Sequence, residues 1–168
     1  MMDLPVVRRC AALVVVLLAA SIHALPAQRA AEKRPVPDAE AQKQALKVIG
    51  ELFSREYKEA ATSAKKVALA KKLLDQVEQS KDDPAAQFVL LRVARDIAAQ
   101  GRDADLALGC VDRMARSFEI DSVAMKVDCL SSVNRAASSS KQYQALAEAA
   151  FRLIDAAVAG DDFHAARR

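Results

Sequence analysis

SKDDPAAQFVLLRVARDIAAQGRD, residues 80–103, contains a helix with both of its ends marked. Asp83 offers a carboxylate to the bare N–H groups of a first turn, and Pro84 stands at the first helical position, where its missing N–H costs nothing. Phe88, Leu91, Ala94 (or Arg95) and Ala98 then recur at three- and four-residue steps, which is one apolar stripe of a helix. Gly101 suits the left-handed residue that ends such a helix, and Asp103 suits the cap of the next one. The spacing predicts a helix over 84–100, a tight turn, and a second helix folded back behind it.

The same grammar extends in both directions. Upstream, Asp38 reads as a cap followed by Ala41, Ala45, Val48, Ile49, Leu52, Phe53, Tyr57 and Ala60 on one stripe. Thr62 and Ser63 interrupt that stripe with capping chemistry, and Val67, Ala70, Leu73, Leu74 and Val77 form the inner face of a second helix. Downstream of Asp103 come Leu106, Ala107, Cys110, Val111, Met114 and Phe118. Ile120 and Met125 then flank Asp121 at the spacing of a hydrophobic staple, opening a fifth helix through Val133. Ser138-Ser139-Ser140 reads as a turn, and Leu146, Ala149 (or Ala150), Leu153, Ile154 and Ala157 line a sixth helix ending at Gly160. Asp161-Asp162 reads as the start of a seventh.

Composition agrees. Apolar residues make up 52% of the 168, yet aromatic residues only 4% and Trp none, so the core is built mostly from Ala, Leu and Val. Small apolar side chains suit closely packed helices, and Ala has the lowest helix cost. After Pro37 the only proline is Pro84, and the glycines are Gly50, Gly101, Gly109 and Gly160. The expected fold is therefore all-α: an antiparallel helical-hairpin array, a tetratricopeptide-like solenoid or bundle, of about six helices plus the start of a seventh. Asp96, Ala98, Gly101, Asp103 and Ala107 recur at the same spacing as Asp155, Ala157, Gly160, Asp162 and Ala166. That echo spans three helices, so a strict tetratricopeptide period does not describe it.

The N-terminus carries a targeting pattern. Arg8 and Arg9 precede an apolar run, Cys10 to Ala20 (CAALVVVLLAA), and small residues follow at Ala24 and Ala27. The run is shorter than the ~20 residues a spanning helix needs, so residues 1–27 read as a signal peptide. An uncleaved signal would be the only route to a membrane. Cys10 follows two arginines, which does not fit a lipoprotein signal. Residues 28–37 (QRAAEKRPVP) read as a short mobile linker and 38–168 as the helical domain, truncated at its C-terminus if that seventh helix continues. The expected location is extracytoplasmic, periplasmic or secreted.

Export places Cys110 and Cys129 where a disulfide is permitted. If the fourth and fifth helices form a hairpin turning near Glu119, the two cysteines stand at matching heights. Matching height is necessary but not sufficient, because the Cα atoms must come within about 7 Å while helix axes pack about 8–10 Å apart. A disulfide and a pair of buried thiols both remain open at this stage.

The inventory argues against catalysis. Of two histidines, His23 leaves with the signal and His164 stands alone near the end, so no base is at hand for a triad. No CxxC or HExxH occurs, and the aspartate pairs Asp103/Asp105 and Asp161/Asp162 sit at helix starts, where they cap and favour the dipole. No metal or other cofactor is expected. The net charge of +3, from 25 basic and 22 acidic residues, is too even for a nucleic-acid binder. Lys58, Lys65, Lys66, Lys71 and Lys72 read as a solvated face, with an acidic lipid or polysaccharide as the competing ligand. Arg92, Arg95 and Asp96 read as ion-pairing residues, or as the lining of a polar groove.

From Leu46 to about Ala137 the chain resembles a helical region of large secreted proteins of planctomycete-type bacteria. The matching segments are LFSREYKEA, ALAKKLLDQ, SKDDPAAQFVLLRVARDIAAQ and LALGCVDRMARSFEIDSVAMK. The resemblance implies an N-terminal helical module ahead of other extracytoplasmic domains, in a family without assigned activity. The expected function is thus a non-catalytic helical scaffold or interaction module, binding a protein partner or a following domain of the same chain. The alternative is an accessory region of a larger exported enzyme or carbohydrate-active protein whose catalytic domain lies beyond residue 168. The targeting pattern makes a direct prediction: exported protein begins near Leu25 or Gln28. N-terminal sequencing checks this, and cytosolic protein retaining Met1 would contradict it.

Overall fold

The helix starts that the sequence marks are closed by the side chains it marks. In the computed structural model, which describes residues 33–159, the Ala41 N–H donates to Asp38 at 2.8 Å and starts α1, Ala39–Leu52. Thr62 accepts from the Lys65 N–H at 3.3 Å and starts α3, Ser63–Gln79, after a six-residue α2, Ser54–Glu59. Asp83 accepts from the Ala86 N–H at 2.9 Å at the head of α4, Pro84–Gln100. Asp103 and Asp121 do the same for α5, Ala104–Ser117, and α6, Ser122–Ala136, each at 2.9 Å. The last described helix is α7, Ser140–Ala159. Each such cap satisfies an otherwise bare N–H and contributes on the order of 1 kcal/mol. The signal segment 1–27, the first part of the linker, Gly160 and the expected helix at Asp161-Asp162 lie outside the described residues.

From α3 onward, consecutive helices are joined by three or four residues and pack on each other, the arrangement short connections impose. α4 lies at the centre and touches α1, α3, α5 and α6, while α7 rests on α6 and α5. The fold is all-α, with no strand among the described residues. No described helix is long and apolar enough to cross a membrane.

Three expectations need correction. The stripe from Ala41 to Ala60 is not one helix. It breaks at Phe53, where φ −105° and ψ 12° leave helical geometry. Ile49, Phe53 and Ala60 are buried, but Val48, Leu52 and Tyr57 stand 62%, 66% and 56% exposed. Within α1 the buried line follows Ile49 to Phe53 and leaves Val48 and Leu52 outside. On α7 the inner face is Leu146, Ala149, Ala150, Leu153 and Ala157, while Ile154 sits outside, exposed with Phe151 and Val158.

The third correction concerns Gly101. Its φ of −73° is right-handed, and the left-handed residue is Arg102, at φ 66°. Arg102 N–H donates to Ala99 O at 3.0 Å and Asp103 N–H to Ala98 O at 3.1 Å, the paired closure of a Schellman end with arginine in the strained position. Glycine is required at 101 for a different reason. A Cβ there would lie 2.9 Å from Val67 Cγ2 and 3.2 Å from both Ser63 O and Ala98 O. The start of α3 crosses the end of α4 with no room for a methyl group.

Part of the expected linker is also anchored. Arg34 N–H donates to Ser117 O and Glu119 N–H donates to Arg34 O, both at 2.9 Å, forming a parallel bridge. The Arg34 guanidinium stands 4.9 Å over the Phe118 ring and bonds to the Gln87 side chain. Phe118 itself is fully buried and meets Phe88 edge-on, centroids 5.2 Å apart at 82°. This favourable aromatic geometry ties the segment before α1 to α4 and to the α5–α6 turn.

The two residues at the α4–α5 turn predict opposite signs. Gly101→Ala should destabilise by about 1–3 kcal/mol through overpacking. Arg102→Gly should stabilise by about 0.5–1 kcal/mol, because the relieved left-handed strain exceeds the added freedom of the unfolded chain. Urea unfolding of the two variants measures both.

Candidate functional site

An open groove of about 990 Å³ lies between α4 and α6. Helical spacing builds its walls. Arg95, Asp96 and Gln100 project from α4 on the side away from its fully buried stripe, Ala94 and Ala98. On α6, Met125, Cys129, Ser132 and Ala136 recur at three- and four-residue steps, with Asp128 and Arg135 beside them. Phe88 and Ala99 contribute apolar surface, and Glu119 and Asp121 add acid at the α5–α6 turn.

Local bonds orient the charged groups. Arg95 Nε donates to Asp96 Oδ1 at 2.8 Å, and its side chain is only 20% exposed while that of Asp96 is 52% exposed. Ser132 Oγ donates back to Asp128 O at 3.0 Å and accepts from Arg135 at 3.1 Å, which steadies Arg135 along the helix. The groove thus has apolar surface between walls carrying both signs of charge.

Of the expected polar residues, the structure separates Arg92 from Arg95 and Asp96. Arg92 bonds instead to the Gln42 side chain and joins α4 to α1. Arg95 and Asp96 form an ion pair and also line the groove. Asp128, Ser132 and Arg135 were missed in the sequence. Their signal was a second stripe at four- and three-residue steps on α6, beside the apolar one. The lysine face is partly spoken for: Lys72 bonds Glu56 at 2.6 Å and holds that carboxyl below its usual range, and Lys66 reaches Gln100 at 3.2 Å. Asp103 caps α5 as expected, while Asp105 pairs with Arg152 of α7.

Cys110 and Cys129 are two free thiols, 0% and 4% exposed, and only Cys129 borders the groove. Burial pushes the Cys110 thiol up to about 12, and the nearby Cys129 adds to the rise. Burial likewise pushes Cys129 up to about 11, against the pull of Arg95. Reactive cysteines show the opposite displacement, toward thiolate at neutral pH. Both histidines, His23 and His164, lie outside the described residues, as do Asp161 and Asp162. Among the described residues no group of three or more His, Cys, Asp or Glu is placed to hold a metal ion.

Neither the known protein-family models, nor curated proteins, nor solved structures contain a match to this chain.

The thiols give a pH prediction. Between the unfolded value of 9.0 and the raised folded values, the folded chain binds more protons than the unfolded one. Stability contributed by these groups is complete below pH 9 and falls as pH rises toward 11 and 12. The chain should therefore lose more stability from about pH 8 to about pH 11 than its Cys110→Ala/Cys129→Ala variant, as measured by urea titration at each pH.

Proposed function

We propose that the chain is an exported, non-catalytic helical scaffold whose α4–α6 groove receives a segment of a protein partner. The observation that carries this reading is the groove: about 990 Å³, apolar at Phe88, Ala99 and Met125, and walled by Arg95, Arg135, Asp96 and Asp128. Helical arrays bind extended or helical segments on such concave faces, with apolar contacts supplying affinity and flanking charges supplying register. Walls of both signs suit a polypeptide better than nucleic acid, whose phosphates call for one sign. The export part of the proposal rests on residues 1–27, and the resemblance to helical modules of large secreted proteins points the same way.

A second reading has its own support. Tyr143, Phe151, Ile154 and Val158 stand 49%, 66%, 39% and 46% exposed on α7. Exposed apolar side chains gathered on one element suit a neighbouring domain. On this reading the chain is an accessory region of a larger exported enzyme or carbohydrate-active protein, with the groove as an internal docking site.

Site-specific photocrosslinking tests the groove. A photoreactive residue in place of Ser132, in the exporting cell, should yield one discrete adduct that disappears when Ala124→Arg obstructs the groove. The same residue in place of Lys81 should yield none. Absence of an adduct at Ser132, or an adduct indifferent to Ala124→Arg, would remove the groove from the proposal.

A further inference from the structure

A second groove, of about 370 Å³, lies on the other flank of α4, between α1–α2 and α3. Its character differs from that of the first. Leu46, Ile49, Phe53, Leu69, Leu73 and Ile97 present carbon to it almost throughout. The polar residues of its lining, Ser54, Tyr57 and Lys58, all come from α2. The volume falls within the range of small-molecule sites, roughly 300–1,000 Å³.

Two observations indicate what this groove accommodates. The first is Gly50, in its wall. A glycine inside a helix costs about 1 kcal/mol relative to alanine, and close packing is its usual justification. At Gly101 that justification holds. At Gly50 a Cβ would meet nothing within 4 Å, so the missing side chain leaves open space along the groove. The second is charge. Lys58 is the only ionisable group besides the Tyr57 phenol that lines the groove, and among the described residues it makes no ion pair. The neighbouring Lys72, by contrast, is neutralised by Glu56.

We infer that this groove binds a single-chain anionic amphiphile, a free long-chain carboxylate, with its tail along Ile49, Gly50, Phe53, Leu73 and Ile97 and its carboxylate at Lys58. The helix break at Phe53 positions the two parts of the site. α1 supplies the apolar wall, and α2, which starts after the break, contributes Lys58 to the lining. Deep residues such as Leu73 and Ile97, 1% and 3% exposed, form a floor already set by packing of α3 on α4. The site is therefore preformed, which lowers the cost of ordering on binding.

The test is isothermal titration of the full exported chain with dodecanoate below its micellar concentration, beside the cationic dodecyltrimethylammonium. Saturable one-to-one binding of dodecanoate is expected. Gly50→Leu should weaken it by at least about ten-fold, since each methylene kept out of the groove is worth roughly four-fold. That variant restores a good helix former in open space, and its melting temperature should not fall. Leu46→Glu, on the exposed rim, gives a second route to the same loss if Gly50→Leu fails to fold. Lys58→Glu should weaken dodecanoate about two- to five-fold, the worth of an exposed ion pair, and leave the cationic amphiphile no weaker. Absence of saturable binding, or binding untouched by both Gly50→Leu and Leu46→Glu, overturns the site. Sensitivity to those two with none to Lys58→Glu overturns the carboxylate assignment. A dimer that Gly50→Leu dissociates would show a second copy as the occupant and also overturn it.

Discussion

α4 is buried on more sides than a single stripe can account for. Phe88, Val89, Leu90 and Leu91 are four consecutive residues, none more than 5% exposed, and four consecutive residues point around a whole helical turn. A turn apolar all round must be covered all round, and α1, α3, α5 and α6 pack on the helix that carries it. The fully buried Ala94 and Ala98 carry side chains small enough for close approach, and Gly101 removes even the methyl group where α3 crosses the helix end. The remaining architecture follows from this one central element. Each neighbour needs an apolar stripe only toward α4, so its outer face can stay charged, and no charged or polar residue is buried among the described residues.

The grooves are consequences of the same arrangement. Cylinders packed around a central cylinder leave clefts along their flanks. Between α4 and α6 the cleft is lined by the polar flanks of two helices whose apolar stripes are spent on the core, hence its mixed charge. Between α1–α2 and α3 the cleft is lined by apolar stripes that do not close on each other, hence its carbon surface. The placement of α1 leaves Leu46, Ile49 and Gly50 along this cleft and Leu52 outside it.

Phe118 shows how a small protein with few aromatics uses them. It terminates α5 in extended geometry (φ −131°, ψ 152°), sits edge-on to Phe88, and receives the Arg34 cation on its face. One buried ring thereby joins the segment before α1, the central helix and the α5–α6 turn. Arg34 came from a stretch that its prolines and charges mark as a linker, and linker composition carries no sign of a partner so distant in sequence.

Helix positions were legible because their causes are local. A carboxylate at Asp83, Asp103 or Asp121 caps N–H groups two or three residues away, and Pro84 fixes its own φ; neither needs a tertiary partner. Apolar spacing along α3, α4 and α5 likewise reads the face that must be buried. Where two answers were locally equivalent, only packing could choose. Gly101 and Arg102 could each have closed the turn, and the 2.9 Å approach of Val67 reserved the side-chain-free position for 101, leaving the arginine with the left-handed one. Val48 and Ile49 were both apolar and adjacent, and the placement of α1 on α4 buried one and exposed the other. The α4–α6 groove joins Arg95 to residues some thirty to forty positions later, and neither helix contains a signal for how far apart its neighbour will stand. Local chemistry thus determined where each helix begins and which residues favour burial, while the distances between helices, and with them both grooves, were decided by how their side chains fit around α4.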